Sequence, residues 1–457
     1  MRDAFPAAKD DPKLRWLKRW IWIYFWLIIF EGSLRKWVFP PLSAPLLLVR
    51  DPVALIIYFQ AARCGKLTQK NLWPFAMLTL SLVLLAVAQI VTGANTVLVA
   101  IYGLRSYALH LPLMMVMAET LTTEDLRKFG TWILILSVPM TALMAAQFYA
   151  PQTSWLNAGA GVGSAQIGSA GGHVRPAGTF SYGIGFTTFT PLVAGFAFFA
   201  LFRPGWLPRW LAWAAIMSTI VAVPFSGSRT LLFIMIGFLA LTLLTGMARG
   251  SHLAGVAKLM VVMLLGVVVA LQLPFVQDAM DTFSTRWTQA SKAEGDTQSV
   301  LDKRVLGVFE SGLEASGQTA WLGNGIGMGS IAASVLQTGG QSFMLAEMEW
   351  ERTVLEFGPI FGLAYLGLRV FFAFYLGWRS FQILGRGNAL PWLLLAAALP
   401  GIVIGGMENT TALGLTVFSA GLCLSALNRP ISDLRNVINK PLPPFPFNRR
   451  QHGSVYS

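Results

Sequence analysis

The chain has 457 residues, of which 55% are hydrophobic and 12% charged, against about 25% charged in an ordinary soluble domain. Such a composition cannot cover a globular surface with polar groups, so the expected fold is all-α and polytopic, a single integral membrane domain over residues 1–457. The net charge of +13 would suit nucleic acid, but its distribution follows membrane topology, which excludes nucleic acid as a partner.

The N-terminal tail, residues 1–18, carries Arg2, Lys9, Lys13, Arg15 and Lys18. The apolar stretch after it has no small-residue cleavage site, which predicts a retained anchor. Apolar stretches of about 17–25 residues cross a bilayer as helices, and about twelve spans are expected. They centre on 21–30, 53–62, 75–91, 97–117, 132–149, 184–201, 211–224, 231–244, 259–273, 354–375, 390–404 and 412–427. The second begins at Arg50-Asp51-Pro52 and has the look of a short or re-entrant span.

Alternate connections are basic: Arg63/Lys66/Lys70, Arg127/Lys128, Arg203/Arg209, Arg249/Lys258 and Arg379/Arg386. The C-terminal tail, 428–457, adds Arg429, Arg435, Lys440, Arg449 and Arg450, whereas the turns 92–95 and 405–411 carry no Lys or Arg. By the positive-inside rule both termini are cytoplasmic. Two long segments, about 151–180 and 274–348, then lie on the opposite face, and long connections in compact proteins are often functional. Cys64 and Cys423 fall at or inside apolar stretches and the four histidines are scattered. No disulfide framework, metal site or other cofactor is expected from them.

A cation near the bilayer centre costs about 2.5–3.5 kcal/mol on insertion scales, so it usually faces a cavity and an anionic partner. Arg105 lies about ten residues into its span from the outer side, and Arg175 and Arg229 sit at the mouths of theirs. Guanidinium groups grip phosphate bidentately, which makes phosphate the first candidate anion. The structural alternative for Arg105 is an internal ion pair, and for Arg175 and Arg229 it is loop capping or headgroup anchoring. Arg304, beside Asp302 and Lys303, also suits an exposed helix face. Glu347 and Glu351 are four apart and would share a helix face, with Glu349 on another. One of them is a candidate proton acceptor; the alternative is an acidic helix start stabilised by the helix dipole. Glu356 is four beyond Arg352, a spacing that predicts a helix-stabilising pair.

Four outer-face patterns occur in order: Arg175-Pro176-Ala177-Gly178-Thr179-Phe180, Ser226-Gly227-Ser228-Arg229-Thr230, Gly323-Asn324-Gly325-Ile326-Gly327, and Glu356-Phe357-Gly358-Pro359-Ile360-Phe361-Gly362. Together, over about residues 95–375, they resemble the O-antigen ligase and polymerase superfamily. The resemblance implies a metal-independent glycosyltransferase at the periplasmic face of the bacterial inner membrane. Its donor would be a polyprenyl-diphosphate-linked oligosaccharide, its acceptor a glycan, and a chain-length regulator protein a further partner. Arg105, Arg175, Arg229 and Arg304 would hold the diphosphate, with Glu347 or Glu349 as the base. Where the ligases carry a His-Asn pair, this chain has Glu347-Met348, which favours polymerisation over transfer to a lipid A core. A transporter of lipid-linked glycans is the rival class. The stretch Phe30–Trp37, with Val49–Pro52, matches no chemistry.

Overall fold

In the lipid core every backbone polar group must be satisfied within its own segment, so the apolar runs of this chain fold as helices. The computed structural model describes residues 11–161, 164–166, 168, 170–247, 253–294, 307–330, 333–334, 345–346, 348–429 and 432–433. In chain order the helices are α1 (Pro12–Ser33), α2 (Ser43–Leu46), α3 (Arg50–Arg63), α4 (Gln69–Val91), α5 (Val97–Leu104) and α6 (Leu113–Thr120). They continue with α7 (Thr123–Tyr149), α8 (Gly183–Phe202), α9 (Arg209–Ser226), α10 (Arg229–Met247), α11 (Leu253–Ala270) and α12 (Pro274–Glu294). The remaining five are α13 (Gly307–Gln318), α14 (Glu349–Phe357), α15 (Pro359–Arg386), α16 (Leu390–Val403) and α17 (Thr410–Leu427).

Among the described residues 9 helical stretches are long and apolar enough to cross a membrane, or 10 if α11 and α12, which meet at a 94° bend, count as one span. The chain is therefore a multi-pass helical membrane protein. The two expected spans outside this set have physical reasons to be. α1 carries Lys13, Arg15, Lys18 and Arg19 in its first turns. α16 is 14 residues long, about 21 Å of rise against a hydrocarbon core of about 30 Å. The second expected span is longer than the sequence implied, because Pro40–Arg63 forms a 24-residue stretch.

α17 is buried along its whole length and packs against α16, α6 and α8. Small residues set those distances. A Cβ on Gly401 would lie 2.0 Å from the Thr416 hydroxyl, so α16 and α17 touch backbone to side chain there. α1 packs along α3, and its Trp22 stacks on Phe129 of α7 at 3.8 Å.

The two ends of the bundle differ chemically. At one end Lys18 pairs with Asp125 at 2.7 Å, Arg127 Nε donates to the Trp206 carbonyl at 2.7 Å, and Arg429 Nε donates to the Leu121 carbonyl at 2.8 Å. Arg203 Nη2 reaches the Gly387 carbonyl at 2.5 Å. Lys18, Arg127, Arg203 and Arg429, drawn from the predicted basic segments, thus share this end. The four sequence patterns gather at the other.

Candidate functional site

Two groups of arginines occupy the patterned end. The first forms where the straight helices stop. At Arg105 the helix loosens into a π-turn, Arg105–Leu109, a geometry frequent at functional sites because it re-aims side chains. Arg105 Nε bonds Asp51, and its Nη2 donates to the Leu47 carbonyl at 2.9 Å. Asp51 also meets His110 Nε2 at 3.0 Å, and His110 Nδ1 meets the Tyr24 hydroxyl at 3.1 Å. Beside it Glu31 takes Arg50 Nε at 2.8 Å and Arg35 Nη1 at 3.5 Å. Arg50 and Glu31 are each 1% exposed.

The stretch Phe30–Trp37, for which the sequence offered no chemistry, clamps the first pattern. Lys36 Nζ donates to the carbonyls of Gly178 and Phe180 at 2.7 and 2.8 Å, and Ser33 Oγ to that of Thr179 at 3.2 Å. Arg35 Nη1 reaches Ser181 Oγ at 2.9 Å. Gly32 is required for the approach, since a Cβ there would lie 2.3 Å from the Ser181 nitrogen.

A second knot of charge adjoins this one through Thr410, whose carbonyl accepts from Arg50 two residues beyond Glu408. Glu349 opens α14 and accepts from Arg369 Nη1 at 2.8 Å, from the Met407 amide at 3.1 Å, and from Arg352. Arg352 Nη1 also pairs with Glu408 at 2.9 Å. The expected Arg352–Glu356 pair is not the main contact of either residue. The Glu356 carboxylate instead accepts the amides of Gly327 and Gly329 at 2.9 and 2.8 Å. The third pattern is therefore a cradle: Gly323, Gly325 and Gly327 all have positive φ, which bends the chain so that the alternate amides of Gly327 and Gly329 converge on one carboxylate. Burial pushes Glu356 up to about 7, against Arg352 and the two amides, and burial likewise brings Glu408 to about 7.

The second group lies at the α9–α10 turn. Gly227 is left-handed (φ 55) and ends α9, while Ser228 Oγ accepts the Leu231 amide and caps α10. This is why Ser-Gly-Ser precedes Arg229: the turn needs one residue free of Cβ strain and one capping hydroxyl. The Arg229 guanidinium lies 5.9 Å from the centre of the Trp287 ring, and Arg286 Nη1 donates to the Gly227 carbonyl at 2.5 Å. α12 thereby folds over the turn. Arg175 is half-buried on the neighbouring segment. Two residues before it, His173 stacks on Phe148 at 4.0 Å, and Phe148 packs edge-on to Phe225 at 5.2 Å, at the foot of the turn. The segments bearing Arg175, Arg229 and Arg286 thus meet at one corner, and Arg105 belongs to the other group.

Directly beside that corner lies a cavity of about 230 Å³ between α8, α9, α10, α11 and α12. Its walls include Phe198, Val223, Leu232, Met263 and Val276, and are almost wholly apolar. Pro224, in the last turn of α9, and Leu232, in the first turn of α10, line the cavity on either side of the turn that carries Arg229.

Arg304 and Glu347 lie outside the described residues, and α14 begins at Glu349 with Met348 at its N-cap. Sequence reasoning missed Glu31, Arg50, Asp51, Arg369 and Glu408. The signal available was a set of opposite charges within or beside apolar stretches, without a spacing to say which would pair. No family model matches the chain, and no curated protein matches its sequence.

Proposed function

We propose that the chain is a membrane glycosyltransferase that polymerises or transfers a polyprenyl-diphosphate-linked oligosaccharide on the non-cytoplasmic side of the bacterial inner membrane. The observation that carries the reading is the apolar cavity set directly beside the Arg229 turn. An amphipathic ligand with a hydrocarbon tail and an anionic head matches that pair of environments. The motif resemblance over about residues 95–375 points to the same donor.

As the glycosidic bond breaks, charge develops on the diphosphate, and fixed guanidinium groups in a low-dielectric site stabilise it. Arg175, Arg229 and Arg286 are the proposed holders. Arg105 is set apart from them by position, since it is bound to Asp51 in the other group. The acceptor hydroxyl must lose a proton. Glu347 is the proposed acceptor of that proton, since the Glu349 carboxylate is engaged by Arg352, Arg369 and the Met407 amide. In this reading the chain makes twelve crossings, and the end carrying Lys18, Arg203 and Arg429 faces the cytoplasm.

The test is the lipid-linked glycan of a deletion strain, complemented with wild type, Arg229→Ala or Glu347→Gln. Accumulation of single repeat units in the deletion and in both variants is expected. Full-length polymer left unattached to its final acceptor indicates a ligase, and retention of repeat units on the inner leaflet indicates a flippase.

A further inference from the structure

At the opposite end of the bundle a polar cavity of about 520 Å³ is lined by Lys66, Glu119, Arg379, Asn428 and Arg429. It sits where α3, α6 and α17 end and where α15 makes its last turns. Three cations face one carboxylate. Arg429 uses Nε on the Leu121 carbonyl, and neither Lys66 nor Arg379 makes an ion pair among the described residues. On α15 the flanking Trp378 and Phe381 are 56% and 49% exposed, as aromatic residues at a membrane interface are. Arg379 lies seven residues before the end of α15 at Arg386, about 10 Å of helix rise. The pocket therefore opens near headgroup depth rather than far out in solvent.

We propose that this pocket binds a phosphate group, carried either by an anionic membrane lipid or by a soluble phosphate ester reaching it from that side. Two guanidinium groups and an ammonium supply charge-assisted donors for the phosphate oxygens, and Asn428 supplies an amide. Orientation alone calls for basic residues near the ends of the spans. It does not call for them to converge on one cavity from separate helices.

The experiment uses the full chain, purified in phosphatidylcholine, and reads phosphatidylglycerol retention by native mass spectrometry. A thermal-shift series with glycerol 3-phosphate and inorganic phosphate runs beside it. Removing one pocket cation is expected to weaken binding about fivefold, from about 1 kcal/mol per basic residue at a lipid surface. Arg379→Gln should do this, and with Arg429→Gln the effect should multiply. Arg386→Gln, a cation at the same end but outside the lining, should leave binding unchanged. Selective retention of phosphatidylglycerol identifies a lipid; a shift with glycerol 3-phosphate without that retention identifies a soluble ester. If none of the three probes binds, or Arg386→Gln weakens binding as much as Arg379→Gln, the pocket is overturned as a phosphate site. Arg379 is exposed, so its variant folds independently of any packing role of Arg429. Polysaccharide synthesis is not the readout, and failure here leaves the proposed glycosyltransfer standing.

Discussion

The two arginine groups at the patterned end meet different kinds of neighbour. Around Arg50, Arg105 and Arg352 each cation meets a carboxylate from another part of the chain: Glu31, Asp51 and Glu408. Around the α9–α10 turn, Arg229 lies over an indole and Arg286 on a backbone carbonyl. A buried cation matched by a carboxylate fixes the geometry of the helices that supply the pair. A cation over a ring face or against a carbonyl takes part of its placement from neutral groups. The two groups differ in the neighbours that position their guanidiniums, and the proposed site is drawn from the second.

The sharpest way to break this contrast is to remove one partner of a buried pair. Arg50→Met leaves Glu31 buried without its closest cation and should cost about 3–5 kcal/mol of stability. The double variant with Glu31→Gln should recover much of that loss, because no uncompensated charge remains. A thermal midpoint for Arg50→Met equal to wild type would mean the pair does not hold the fold.

Arg229→Ala should do the converse. It is expected to lower polymer formation about a hundredfold, on the order of 3 kcal/mol for a lost contact to developing charge, with expression and thermal midpoint unchanged. Lysine should rescue only partly, since it keeps the charge and loses the planar fork. Arg105→Met, by contrast, should reduce stability before activity. If Arg105→Met remains stable but is inactive, the boundary between the two groups is drawn in the wrong place.

A smaller effect probes the cradle that ties α14 into the first group. Gly323 has φ +72, and a Cβ there would lie 2.3 Å from the Glu356 carbonyl oxygen. Gly323→Ala should cost about 1–3 kcal/mol. Gly317→Ala, where a Cβ meets nothing within 4 Å, should be neutral or slightly stabilising, and equal midpoints for the two variants would dissolve the cradle.

The smallest expected effect is on pH dependence. Glu356 and Glu408 both titrate near 7 in the folded chain, raised by burial from about 4.5. The folded state therefore binds protons more tightly than the unfolded one. The stabilisation is full below about pH 4.5 and is lost as pH rises through about 7. The thermal midpoint should be higher at pH 5.5 than at pH 8, and Glu408→Gln should flatten that slope. A midpoint that climbs with pH would show that Arg352 dominates both carboxylates.

Much of the fold was legible because hydropathy and loop charge are local properties. Among the described residues ten of the expected spans survive as long apolar stretches when α11 and α12 are counted together, and Arg127, Arg203 and Arg429 collect at one end. The three glycines at 323, 325 and 327 mark a local demand as well, since each takes a positive φ. The pairing of charges did not read. Nothing in the spacing of Glu31, Arg50, Asp51, Arg105, Arg369 and Glu408 reveals which helix ends meet, and Arg352 chose Glu349 and Glu408 over the neighbour four residues on. The sequence by itself determined that this chain enters a membrane and where most of its long apolar helices lie. Only the tertiary structure decided which carboxylates from distant segments meet Arg50, Arg105 and Arg352, and that the Arg229 turn sits beside an apolar cavity. Coulomb energy depends on distance in space and on the exclusion of water, and neither is set by distance along the chain.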